Sequence, residues 1–109
     1  METTNAVHML GALAHETRLG IFRLLVRRGF AGLAAGDVAT RLTLPAATAS
    51  FHLAFLKRAG LLVARRESRN IFYAADFKNM TALVGFLQEN CCVDEQPLIQ
   101  IERKKHGKR

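Results

Sequence analysis

Three groups of residues in this 109-residue sequence could do chemistry. The first is the pair Cys91-Cys92, set in Glu89-Asn90-Cys91-Cys92. Adjacent thiols offer two soft donors with no loop to close, and thiolates select thiophilic ions over magnesium or calcium. In a regular helix consecutive side chains diverge by about 100°, so the pair can share an ion only on freer backbone. Asn90 can supply that by stopping a helix. A structural disulfide between the two is disfavoured, because Cα atoms about 3.8 Å apart are closer than disulfides prefer. Oxidation sensing and plain burial as small hydrophobes are the alternatives; nearby Asp94 and Glu95 would raise the thiol pKa and dull its reactivity. The second group is Lys57, Arg58, Arg65, Arg66 and Arg69, five cations in a window of thirteen residues. The third is Thr48, Ser50 and His52, compact hydrogen-bonding side chains towards the leading end of a short helix. Such a helix, with Lys57 and Arg58 at its other end, is what a DNA major groove accepts. No nucleophile–base pair, phosphate-cradling glycine loop or paired-carboxylate site accompanies these groups, so no enzyme is expected and no cofactor is required.

The net charge of +7 and the pI near 10.3 point to a polyanionic partner. Residues 102–109 (ERKKHGKR) hold five cations and one anion, whereas the other residues hold eleven cations against eight anions. A basic tail alone says little, since such tails are usually solvated; the cluster at 57–69 is the better sign. No apolar run reaches the length of a membrane span. The start METTNAVHML lacks the features of a signal peptide, and two neighbouring cysteines make no extracellular disulfide framework. A cytoplasmic protein without a membrane partner is expected.

The elements that must position these groups follow from periodicity. The length allows one domain with a modest core. A first helix is predicted from Thr3 or Thr4 to Ala14, capped by Thr4, with Val7, Leu10 and Ala14 on one stripe and Leu13 beside it. A second, broadly apolar helix is predicted over Thr17 to Arg28, with Gly29 ending it. After a short extended piece near Leu33 comes a third helix, about Asp37 to Leu42. The turn Thr43-Leu44-Pro45 then leads into a helix ending by Gly60, with Ala49, Leu53 and Leu56 inward. Short helix, tight turn, second helix is a helix-turn-helix pattern. Beyond Gly60, residues 61–66 and 70–74 read as two strands joined at Glu67-Ser68-Arg69, an arginine-tipped hairpin. A last helix spans about Asp76 to Glu89, with Asp76 as N-cap and Phe77, Met80, Val84 and Leu87 as a stripe widened by Leu83. The expected fold is mostly α with a β-hairpin wing (α+β), a winged helix-turn-helix. The stripe of the last helix could close the protomer's own core or, with the first helix, form a homodimer interface; the second is expected, since both helices are amphipathic and a palindromic operator needs a twofold protein. Residues 1–92 form the DNA-binding and dimerisation domain, and 93–109 a flexible basic tail.

The sequence resembles the ArsR/SmtB family of metal-sensing repressors. Three pieces carry the likeness. Leu13-Ala14-His15-Glu16-Thr17-Arg18-Leu19-Gly20-Ile21 is similar to the opening of that family's second helix. Thr48-Ala49-Ser50-Phe51-His52-Leu53, with Leu56 and Ala59-Gly60-Leu61, is similar to its recognition helix and exit. Arg65-Arg66 to Asn70-Ile71-Phe72-Tyr73 is similar to its wing. The resemblance covers about Ala6 to Cys92 and implies a dimeric repressor that leaves double-stranded operator DNA when an inducer binds.

The resemblance also narrows the inducer. The family's zinc site needs His and acidic ligands on the last helix, yet no His occurs between His52 and His106. Its third-helix cysteine motif is absent as well. What remains is similar to the arsenic-responsive members, with Cys91 and Cys92 as ligands for arsenite, methylarsenite or antimonite. Those members often carry a third cysteine a few residues later, and here there is none; a methylated arsenical needs only two sulfurs. A thiol-redox-responsive repressor and a general DNA-binding protein without a metalloid effector remain the alternatives.

Overall fold

The structure is a computed structural model and describes residues 1–95. Helix α1 (Thr3–Leu13) starts behind Glu2, whose side chain makes no capping bond, so the expected Thr4 cap is not used and Thr4 lies within the first turn. The predicted stripe is not the side that packs inside the protomer. Ala6, Met9 and Ala12 are buried, whereas Val7, Leu10 and Ala14 are exposed. α1 is apolar on two sides, and Ala6, Met9 and Ala12 are the side turned into the protomer.

Helix α2 (Glu16–Arg28) is capped by His15, whose Nδ1 accepts from the Thr17 N–H at 3.2 Å. It ends at Gly29, with φ at 90°, a conformation open chiefly to glycine. Strand β1 (Leu33–Ala34) runs directly into helix α3 (Ala35–Leu42), two residues earlier than expected. The turn after α3 places Thr43 at φ 55°, with the Leu44 N–H returning to the Ala39 carbonyl. Helix α4 (Ala46–Arg58) then starts behind Pro45, a residue that cannot extend α3 and is pre-set for a helix entry.

Strands β2 (Leu62–Glu67) and β3 (Asn70–Ala75) form an antiparallel hairpin, and β1 joins the far edge of β3 to give the order β1-β3-β2. Leu62 lies opposite Ala75 and Glu67 opposite Asn70, leaving Ser68 and Arg69 as the tip. Helix α5 (Phe77–Gln88) closes the described chain, capped as expected by Asp76, which accepts from the Asn79 N–H at 3.0 Å.

The core gathers under α2. Ile21 and Leu25 meet Val38 of α3, Leu53 and Leu56 of α4, and Leu61, all essentially without solvent contact. Side chains of this size contribute about 1.5–3 kcal/mol each when fully buried, so these six hold the two helices of the helix-turn-helix to the body. Of the predicted α5 stripe, Leu83 is buried and Phe77 and Met80 pack partly against the core, while Val84 and Leu87 remain exposed. No described helix is long and apolar enough to cross a membrane.

Candidate nucleic-acid interface

Helix α4 is seated on its buried side by Ala49, His52, Leu53 and Leu56, and packs against α2 and α3. That seating decides which predicted residues can reach a partner. Ser50, Lys57 and Arg58 are exposed, and Thr48 is half-buried. His52 is not available: only 8% of it is exposed. Its ring lies against that of His15, with centroids 4.9 Å apart, and its Nδ1 has no hydrogen-bond partner. The expectation of a base-contacting His52 is corrected because position 52 falls on the same side of the helix as Ala49, Leu53 and Leu56. Burial lowers its pKa, with the charges of His15 and Arg18 acting in the same direction. It therefore serves as a neutral packing residue between α4 and the α1–α2 corner.

Arg18 strengthens that corner. Its Nε donates to the Ala12 carbonyl at 2.7 Å, and its guanidinium lies 4.1 Å from the centre of the Phe55 ring. One side chain thus ties the end of α1, the start of α2 and the outer flank of α4. A guanidinium over an aromatic face contributes about 0.5–2 kcal/mol, more when desolvated.

The hairpin places its cations on both faces. Arg65 and Glu67, two apart, share one face and form an exposed ion pair at 2.6 Å; Arg65 also sits 5.1 Å from the Phe72 ring across the strand. Arg65 is thereby engaged within the wing. Arg66 and Arg69 are exposed, and among the described residues the wing's ion pair is Arg65–Glu67. Exposed guanidiniums on a hairpin tip suit DNA backbone or a narrow minor groove.

Asn79 is a connection that sequence reasoning missed. Its Nδ2 donates to the Gly60 carbonyl at 2.8 Å, and the Asp76 N–H donates to the Leu61 carbonyl at 2.8 Å. The exit of α4 is therefore bonded to the entry of α5. The one signal in the sequence was the Asp76-x-x-Asn79 spacing of a helix cap, which shows the cap but not the partner nineteen residues earlier.

At the other end of α5, Asn90 takes φ 60° and Cys92 φ 66°, so Asn90 does break the helix ahead of the thiols. The two sulfurs come to 3.1 Å of each other, too far for a disulfide bond of about 2.05 Å. Cys91 is exposed and Cys92 half-buried. Among the described residues no cluster of three or more His, Cys, Asp or Glu side chains could hold a metal ion. The expected basic tail lies, from residue 96 onward, outside the described residues.

Comparison with known proteins turns this geometry into a family. Residues 13–65 match a family model described as a helix-turn-helix domain. The transcriptional activator HlyU of Vibrio cholerae is 33% identical over 94 residues, covering 86% of this chain and 84% of the relative. This chain belongs to the winged-helix transcriptional regulators of the ArsR/HlyU type. Solved ArsR/HlyU-type structures agree. An ArsR-like transcriptional regulator from Rhodococcus sp. RHA1 is 26% identical, with a TM-score of 0.74 and 92% of each chain covered. A homodimeric winged helix-turn-helix DNA-binding domain from Mycobacterium bovis, described as a possible ArsR-family regulator, is 27% identical. Its TM-score is 0.66, with 97% of this chain and 87% of that one covered. The ArsR/HlyU-type chain described here is thus a DNA-binding transcriptional regulator, related to proteins named as regulators rather than as enzymes.

Proposed function

We propose that this chain acts in the cytoplasm as a homodimeric repressor that releases double-stranded operator DNA when trivalent arsenic or antimony binds Cys91 and Cys92. The observation that carries the reading is the 3.1 Å approach of the two sulfurs directly behind α5. With metal–sulfur bonds of about 2.3 Å, sulfurs that far apart subtend roughly 85° at a shared ion. That angle is too narrow for tetrahedral zinc and suits a pyramidal trivalent ion. Two sulfurs satisfy methylarsenite outright; arsenite and antimonite would take a third ligand from elsewhere.

The remaining geometry supports operator binding. Lys57, Arg58, Arg66 and Arg69 meet phosphates, with Arg65 held in reserve by Glu67, and Ser50 and Thr48 supply polar contacts to base edges from the flanks of α4. A second protomer covers the exposed apolar residues of α1 and α5, as supported by the homodimeric state of the Mycobacterium bovis relative. Capture of an ion remodels the turn after α5; the Asn79–Gly60 and Asp76–Leu61 bonds carry that shift to the exit of α4. A coupling of about 1–3 kcal/mol changes operator affinity about 5–150-fold.

The test is DNA release under titration with arsenite, methylarsenite and antimonite, with wild type and a Cys91→Ser, Cys92→Ser variant side by side. Wild type is expected to release DNA and the variant to hold it. A variant that binds DNA and still releases it normally removes the dithiol from the mechanism. Peroxide in place of the metalloid reads out a thiol-oxidation response in the same assay.

A further inference from the structure

The outward side of α4 carries very few hydrogen-bonding groups. At about 100° per residue, the side opposite Ala49, His52, Leu53 and Leu56 holds Ala47, Phe51, Ala54 and Arg58. Phe51 is the one large apolar group there and is 59% exposed. Its ring meets the edge of His52 at 5.4 Å and Phe55 at 6.3 Å, so its outer face is open. It sits in the second turn of the helix, in the half from which recognition helices touch base edges. Ala46 and Ala47, both exposed, add no bulk that would hold a groove floor away from the ring.

The exposed cations of the helix-turn-helix and the wing say what kind of surface would cover this ring. Lys57 and Arg58 lie at the end of α4, Arg41 is exposed at the end of α3, and Arg66 and Arg69 are exposed on the wing. The complement is a surface with anionic rims and an apolar centre. A major groove has that pattern where thymine occurs, because its phosphate rails flank the 5-methyl group, the groove's apolar feature. Guanine and cytosine present acceptors and an amino group there, which a phenyl ring would desolvate without pairing.

We propose that Phe51 is a specificity-determining residue that packs on thymine 5-methyl groups and selects T·A pairs beneath the second turn of α4 in each half-site. The inference rests on α4 being the helix that enters the major groove; it does not depend on the dithiol.

The test starts by selecting duplexes from a random pool with the full chain, then remaking a selected duplex with deoxyuridine for the thymines shared by both half-sites. Uracil pairs as thymine does and lacks only the methyl. Wild type should enrich thymine at symmetric positions and bind the uracil duplex about fourfold more weakly per methyl lost. That is about fifteenfold for both half-sites, taking about 0.8 kcal/mol for each buried methyl-sized group. Phe51→Ala, a change at an exposed position, should bind the two duplexes alike, and Phe51→Leu should keep part of the preference. Equal wild-type affinity for both duplexes, or a preference undiminished in Phe51→Ala, overturns the assignment of Phe51 alone. Failure to enrich any duplex overturns the groove-reading role of α4 together with it.

Discussion

His52 is placed where a base-reading residue was expected, and its burial gives it a different and measurable consequence. Its imidazole is enclosed with an unpartnered Nδ1, and burial, then His15, then Arg18 all disfavour its protonated form. The folded-state pKa therefore lies below the ordinary value near 6.5. Below that value the unfolded chain binds a proton that the folded chain refuses, so stability is complete above about pH 6.5 and declines as pH falls towards the lowered folded pKa. We expect the urea midpoint of wild type to drop on acidification from neutral to about pH 5. In a His52→Gln variant the same acidification should move the midpoint less, whatever its starting stability. Equal pH slopes for the two proteins would show that His52 is not the group responsible. The contrast with Phe51 is one of angle alone: two consecutive residues, one turned to the core and one to the solvent.

At the scale of elements, much of this architecture could be read from periodicity and punctuation, and the misses have physical causes. The stops at Gly29, Pro45 and Asn90 were legible because left-handed or ring-locked backbone demands particular residues. The Val7 and Leu10 stripe of α1 is legible from periodicity, but not that the protomer packs the other side, Ala6, Met9 and Ala12, because both sides of this helix are apolar. His52 was misplaced because polar type outweighed its position beside Leu53. The Asn79–Gly60 bond could not be read at all, since nothing local encodes a partner nineteen residues away. Gly32 was legible only as part of a Gly- and Ala-rich stretch. It sits at φ 71°, and a Cβ there would collide with the Tyr73 carbonyl. Its own carbonyl accepts from Arg28 Nε at 2.9 Å, which pins the crossing from α2 to β1. Replacing Gly32 with Ala should cost more than about 2 kcal/mol, because the left-handed backbone and the steric conflict add. A Gly29→Ala control meets no such contact and should cost less. Paired denaturation curves decide, and equal losses would mean that the backbone conformation alone matters.

For the whole molecule, the distribution of exposed apolar residues sets how two copies would join. Val7 on α1 is 58% exposed, Val84 and Leu87 on α5 are 50% and 59% exposed, and Leu13, Leu19, Val26, Met80 and Val84 line an apolar groove of about 480 Å³ between α2 and α5. Within one protomer half-exposed Val84 is not part of the core, so a polar replacement there leaves the protomer's stability within about 0.5 kcal/mol. In a dimer closed through α1 and α5, the same replacement buries an unpaired carboxylate against its symmetry mate. Breaking apolar complementarity with an unpaired buried charge costs several kcal/mol, enough to dissociate the pair at micromolar concentration. Val84→Glu is therefore expected to sediment as a monomer where wild type sediments as a dimer, with its dilute-solution melt unchanged. Operator affinity should fall on the order of a hundredfold or more, because two linked reading helices gain an effective concentration that a single one lacks. The substitution leaves Lys57, Arg66 and Arg69 in place, so the residual binding should keep the salt dependence set by each protomer's phosphate contacts. A Val84→Glu protein that remains dimeric would place the twofold contact elsewhere than at Val84, while the Asn79–Gly60 and Asp76–Leu61 bonds would still link α5 to the exit of α4 within each protomer.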